Sequence, residues 1–299
     1  MKRIIITGGS GFIATNAINF FLKKKYKITV FTRKKKIPER KNLKIFTTDK
    51  NYNNIFKNKS NINLILHLAG NASVIKSQKK KIQYRKNQIQ ISKNLVKFLG
   101  NKESIIVFVS SYAVYGKNNI LPSKEDNKLK PVSKYGEDKV LLERFLINET
   151  ANKKIKLIII RFSSVYGPYL KKQVFWDIST KIKDKNKKSI NLFGTGSEKR
   201  DFIHVDDALN AINLLLNKAN QKVEIVNCGS GKIYSVRFIA DLIKKNMFSN
   251  KQIIFDKINS SISPKIMHLN ISKIKKINWA SQINIFQGVK NYVKWFVKL

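Results

Sequence analysis

The chain has 299 residues, 42% of them hydrophobic, enough for one large domain, or a domain with a smaller lobe, around a substantial core. No apolar run approaches the ~18 residues of a membrane span, residue 4 already begins an apolar strand and leaves no room for a secretory leader, and Cys228 is the only cysteine, so a cytoplasmic protein without membrane partners is expected. Eight arginines leave 52 lysines among 60 basic residues, for a net charge of +42; the lysines recur along the whole chain, which favours a compositional bias over a nucleic-acid interface, although such a field would still gather anionic small substrates.

In chain order, Ile4-Ile5-Ile6-Thr7 reads as a buried strand that runs into Gly8-Gly9-Ser10-Gly11 and then an apolar helix pattern starting near Phe12. Gly8 and Gly9 permit a tight turn, and Gly11 lets backbone approach a pyrophosphate at the helix N-terminus. Ala14 is small enough for the third glycine position, where helix and strand pack closely. Between a strand and a helix, this spacing predicts a dinucleotide site. Further strands are expected at 27–32, 43–47, 62–68, 104–110, 155–161 and 223–228, and helices at 11–24, 80–99 and 133–150. The alternation builds βαβ units, hence an α/β fold with a doubly wound parallel sheet. That domain would span 1–162 and be rejoined by about 201–231. Segments 163–200 and 232–299 lack clean alternation and are expected to form a substrate-binding lobe, with KKSINLFGTGSEKR (187–200) the most loop-like stretch.

Six segments share a further likeness. TGGSGFIA (7–14), HLAG (67–70), SSYAVYG (110–116), YGEDK (135–139), RFSSVYGP (161–168) and GTGSEKRDFIHVDD (194–207) resemble, in order, the motifs of the extended short-chain dehydrogenase/reductases. Within these the chain is similar to the NAD(P)-dependent epimerase/dehydratase family, which works on nucleotide sugars. LNISKIKKINW (269–279) resembles the family's C-terminal segment, with Asn270 where Asp is usual. The resemblance implies a Rossmann-type sheet with a smaller C-terminal substrate lobe. It also implies cofactor contacts from Gly8, Gly11, Phe12, Ile13, Leu68, Ala69, Gly70, Tyr135 and Lys139. Asp49 resembles the residue that meets the adenine amine; a turn aspartate is the alternative.

Of the ten tyrosines, only Tyr135 has a lysine four residues later, and it lies 24 residues beyond Ser111 in a helix pattern. The i,i+4 spacing puts Tyr135 and Lys139 on one helix face. Removing hydride from a carbinol carbon requires its hydroxyl proton to leave, and free tyrosine, with a pKa of ~10, is a poor base at neutral pH. A cation at ~4 Å and an effective dielectric of ~20 supplies ~4 kcal/mol, enough to bring the phenol down by up to ~3 pH units. Tyr135 is therefore the expected general base or acid, Lys139 its electrostatic partner and ribose holder, and Ser111 the hydrogen bond to the reacting oxygen. Ser111 could equally serve as a helix cap.

Thr32 stands where NAD-dependent relatives carry an acid for the ribose diol, and Arg33 follows. Threonine and arginine would welcome a 2′-phosphate, so NADP(H) is expected over NAD(H). Family dehydratases and decarboxylases carry an acid at one or both of the positions held by Tyr112 and Ala113, and certain epimerase–reductases a cysteine at the second. Ala113 fits none of these. What remains is hydride transfer at a sugar carbon, C4 in particular: NADPH-dependent reduction of a 4-keto sugar, slightly preferred, or 4-epimerisation. The expected partner is a nucleotide-diphosphate sugar held by Ser111, Ser164 (where the family has asparagine) and Arg200, whose guanidinium fork fits a diphosphate; a structural Arg200–Asp201 pair is the alternative. His204, Asp206 and Asp207 supply too few ligand groups for a metal and are expected to steady the junction between lobes. A homodimer through 80–99 and 133–150 follows from the resemblance. A non-catalytic dinucleotide-binding protein, or an RNA-binding one, on the same fold is disfavoured by the intact Ser111, Tyr135 and Lys139.

Overall fold

The computed structural model describes residues 2–33, 37–38, 40–57, 62–70, 81–116, 120–258 and 264–299. Lysines 34–36 after Arg33 and residue 80 of the expected second helix lie outside them.

Seven strands form one sheet: β1 (Arg3–Thr7), β2 (Lys27–Thr32), β3 (Leu43–Thr47), β4 (Leu64–His67), β5 (Ser104–Ser111), β6 (Ile155–Phe162) and β10 (Val223–Cys228). Their order is β10-β6-β5-β4-β1-β2-β3, and every pairing is parallel. A parallel sheet is covered on both faces, and its strands are accordingly unbroken apolar runs: Ile4 to Ile6 and Leu157 to Ile160 have no exposed surface. Helices α1 (Phe12–Lys23) and α5 (Val205–Lys218) cover one face through Ala14, Ala17, Ile18, Phe21, Ala208, Leu209, Ile212 and Leu215. Helices α2 (Lys81–Leu99) and α3 (Lys134–Thr150) cover the other through Ile91, Leu95, Val96, Leu99, Leu142 and Leu146. The expected α/β sheet is thus observed, with each strand and helix of the first half within a few residues of its predicted bounds.

A third core holds α4 (Gln173–Lys183), α6 (Val236–Asn246) and α8 (Ile285–Phe296) together around Phe175, Ile178, Ile239, Ile243, Val289, Tyr292 and Phe296. The stretch 187–200, expected to be a loop, corrects that expectation. It contains β8 (Ser189–Leu192), and Lys199 opens β9 (Lys199–His204). Residues 193–198, with Gly194 and Gly196 at φ 100° and 79°, make the turn between them. β8 pairs with β12 (Gln252–Phe255), and β9 pairs with β7 (Ser164–Tyr166), β11 (Ile233–Ser235) and β13 (Ile266–Met267). These strands are short and their partners lie far along the chain, so no local periodicity announces them. The short α7 (Ser272–Lys275) packs on β10, where Lys273 donates to the Ile225 carbonyl at 2.7 Å, and its Ile274 joins the first core. Among the described residues no helix is long and apolar enough to cross a membrane.

The strand order reverses between β1 and β4, so the connections that leave their C-terminal ends run in opposite directions and leave a crevice, the usual ligand position of a doubly wound sheet.

Candidate active site

A cavity of about 1070 Å³ occupies that crevice and continues toward the third core. On the sheet side it is lined by Gly8, Gly11, Phe12, Ile13, Thr32, Arg33, Leu68, Ala69, Gly70, Ser111, Tyr135 and Lys139; Ser164 and Arg200 line it on the lobe side. Every expected site residue except Asp49 therefore meets at one cavity. Asp49 instead accepts from the Asn53 backbone N–H at 3.0 Å and its side-chain amide at 2.6 Å, the turn role that was the alternative.

The first wall follows from the glycine that succeeds β1. Gly8 sits at φ 72°, and a Cβ there would fall 2.9 Å from the Ala69 backbone, so the turn packs directly on the 68–70 segment. Thr7 closes the same joint: its Oγ1 accepts from the N–H groups of Leu68 (3.1 Å) and Ala69 (3.0 Å). Gly11 is the extended N-cap of α1 and offers no side chain to the first helical turn. The N–H groups opened by Phe12 and Ile13 at the cavity carry the positive end of the helix dipole. That donor set fits a dinucleotide pyrophosphate.

The second wall carries Ser111, Tyr135 and Lys139. Ser133 caps α3, its Oγ accepting from Gly136 N at 3.2 Å. A Cβ on Gly136 would fall 2.3 Å from the Ala113 carbonyl, so the start of α3 presses on the turn that follows β5. This contact brings Tyr135 beside Ser111, which hydrogen-bonds its side chain and also accepts from Ala113 N at 3.2 Å, the capping role that was the alternative. Lys139 donates from Nζ to the Val109 carbonyl at 2.6 Å and sits 4.6 Å above the Phe108 ring.

The electrostatics differ from expectation in one respect. Burial raises the Tyr135 pKa, and only the Ser111 hydrogen bond opposes it. Burial also lowers Lys139 to about 8 against the pull of Glu143 and Asp138. In the protein alone the phenol is protonated, because its burial outweighs the Ser111 hydrogen bond.

Sequence reasoning missed a second set of groups. His67, at the end of β4, meets Thr7 Oγ1 through Nδ1 (2.9 Å) and Ser92 Oγ through Nε2 (3.2 Å), and Ser92 donates to the Gln88 carbonyl at 3.0 Å. Burial, then the nearby Lys139 charge, lowers His67 to about 3, so it stays neutral. Beneath Lys139, Arg161 holds Glu143 at 2.7 Å, both nearly inaccessible, and Glu143 also accepts from Ser110. Tyr52 and Lys50 join Arg33 at the cavity's β2 end, and Lys172, Trp176 and Phe193 join the lobe side. His67 and Arg161 stand within motifs the sequence offered, but their partners Ser92 and Glu143 lie 25 and 18 residues away on helices, so no local pattern marked these pairings.

Arg200 donates to the Lys199 and Lys265 carbonyls at 2.8 and 2.9 Å. Asp201, its neighbour on β9, accepts from Ser230 and Gly231 instead. Asp207 ties α5 to residues 281–283 through three hydrogen bonds, and His204 Nδ1 accepts from Asp206 N at 3.3 Å.

Comparison with known proteins agrees with this arrangement. The model of the NAD dependent epimerase/dehydratase family matches residues 4–229. A putative UDP-glucose 4-epimerase of Methanocaldococcus jannaschii is 28% identical over 302 residues, covering 98% of this chain and 97% of the relative. The structure of a UDP-N-acetylglucosamine 4-epimerase from Methanobrevibacter ruminantium, in complex with UDP-N-acetylmuramic acid, superposes with a TM-score of 0.89 at 25% identity, covering 99% of this chain and 98% of that one. A UDP-glucuronic acid 4-epimerase from Bacillus cereus, bound to UDP-glucuronic acid and NAD, shares the fold at a TM-score of 0.88 and 23% identity, with 99% of each chain covered. With the family's model spanning the glycine turn, Ser111, the Tyr135–Lys139 pair and Arg200 alike, the chain belongs to the NAD dependent epimerase/dehydratase family of enzymes.

Proposed function

We propose that this chain is a nucleotide-sugar 4-epimerase that works by hydride transfer at the sugar C4. The observation that carries the reading is the shared cavity wall of Ser111, Tyr135 and Lys139, with the methyl of Ala113 beside them where a dehydratase would need an acid. A bound nicotinamide cofactor supplies reversible acceptance of the C4 hydride. The protein's share is proton handling: once positive charge beyond that of Lys139 offsets the burial that keeps its phenol protonated, Tyr135 Oη would take the C4 hydroxyl proton and give it back to the same oxygen when the hydride returns on the other face of C4, while Ser111 Oγ would hydrogen-bond that oxygen. Arg200 offers a cation for the diphosphate, and Ser164 a hydroxyl near the sugar. The 4-epimerase names of the relatives support this reading over the reductase.

One observation favours the second reading, an NADPH-dependent 4-keto-sugar reductase. Arg33 and Lys50 line the cavity at the β2 end, while the acids lining it among the described residues, Asp177 and Glu198, stand on the lobe side. A 2′-phosphate suits that end, so we infer a preference for NADP(H). We also infer a homodimer through α2 and α3, supported by the half-buried Ile89, Phe98, Leu141 and Phe145 on these helices. Incubation with UDP-sugars epimeric at C4, without added cofactor and then with NADPH, separates the two reactions. Interconversion without net cofactor use supports the epimerase; consumption of NADPH with a 4-keto sugar supports the reductase; neither would refute both.

A further inference from the structure

The two strand ends that border the crevice's cofactor side are joined by one phenol. Gly8 N–H donates to the Tyr52 hydroxyl at 3.0 Å, and that hydroxyl donates to the Phe31 carbonyl at 3.4 Å. Gly9 N–H donates to the same carbonyl at 3.2 Å. The result is a closed ring of hydrogen bonds linking the glycine turn to the last residues of β2, immediately before Thr32 and Arg33. Tyr52 is 3% exposed, lines the cavity, and rests its ring 6.2 Å from that of Phe31, which stacks on Phe46 at 5.2 Å.

Turn geometry alone does not account for this residue. Tyr52 stands at φ 61°, a left-handed conformation that bulky side chains avoid. Glycine or asparagine would make the turn with less strain. Such strain persists where the surroundings over-determine it, characteristically at functional sites. Here the surroundings hold the loop from both ends: Asn94 donates to the Asn51 carbonyl at 2.9 Å, and Ile55 N–H donates to the Tyr52 carbonyl at 3.1 Å.

We propose that Tyr52 is a positioning residue for the dinucleotide, its hydroxyl holding the pyrophosphate-facing glycine turn and the ribose-facing tip of β2 at one fixed spacing before the ligand arrives. This rests on the cofactor reading given above. Preorganisation of that kind appears in affinity, because the ordering cost is met during folding and not during binding.

The test is Tyr52→Phe, which keeps the ring and removes the hydroxyl. Titration with NADPH and with NAD, followed by protein fluorescence, is expected to show dissociation constants about tenfold weaker, equivalent to the loss of one hydrogen bond. The KM for the nucleotide sugar at saturating dinucleotide should stay within about twofold, since the lobe side is untouched. Amide exchange at Gly8 should quicken. Faster exchange with unchanged dinucleotide affinity would mean a purely structural bond and would overturn the proposal. Should the variant not fold, exchange on the wild-type protein decides: NADPH must slow Gly8 and residues 31–33 together, and protection of one segment without the other overturns it. Wild-type protein that binds neither dinucleotide would overturn the cofactor reading itself, and this role with it.

Discussion

Lys139 sets its ammonium 5.9 Å from the centre of the Tyr135 ring while donating to the Val109 carbonyl. The lysine is thus anchored to β5 and cannot swing to the phenol freely. Because burial alone leaves Tyr135 protonated, its proton is available to an alkoxide forming in the cavity. Tyr135→Phe should lower turnover by about 10²- to 10⁴-fold, the usual worth of a positioned acid or base, with dinucleotide affinity unchanged. Steady-state rates beside a binding titration check this; a variant of full activity would remove Tyr135 from the reaction.

Lys139 itself titrates near 8, lowered by burial and partly restored by Glu143 and Asp138. Its positive charge is present below that value and lost above it. Turnover that relies on the ammonium should therefore decline as pH rises past about 8. In Lys139→Met that alkaline limb should vanish from a profile already reduced about 100-fold. An unchanged limb would assign it to another group.

The proposed preference for NADP(H) rests on Arg33 and Lys50 at the β2 end of the cavity. Arg33→Ala is expected to weaken NADPH binding about tenfold, and Lys50→Ala somewhat less, as charge-assisted contacts to a 2′-phosphate are lost. NADH binding should scarcely change. Titration of both nucleotides against both variants is the measurement, and equal losses for NADPH and NADH would contradict the assignment.

Acid should loosen the fold through His67. Its folded-state value of about 3 lies below the ordinary 6.5, so between those limits the unfolded chain binds a proton that the native one refuses. The native state is fully stabilised with respect to this group above pH 6.5 and loses up to ~4 kcal/mol as pH falls toward 3. Denaturant midpoints measured from pH 7 to pH 4 should fall in the wild type and flatten in His67→Asn.

The Arg161–Glu143 pair lies near Lys139, and Glu143 also accepts from Ser110. Arg161→Met strands a buried carboxylate and should cost about 3–5 kcal/mol, whereas the paired Arg161→Met/Glu143→Leu change should recover much of it. Urea unfolding of the three proteins tests this; equal losses in the single and double variants would show that the network as a whole is required.

What the chain revealed unaided was whatever depends on neighbours in sequence. The isoleucine-rich strand before Gly8, the helix spacing of Tyr135 and Lys139, and the alternation of strands with helices were all legible. In a parallel sheet each strand is a short apolar run and each crossover an amphipathic helix. Tertiary structure alone decided the rest. That β8 pairs with β12, that Tyr52 closes on Gly8, and that His67 lies beside Lys139 depend on contacts between residues tens of positions apart. Desolvation, too, exists only once the chain has folded, which is why a phenol expected to be acidified by its neighbouring cation is raised instead.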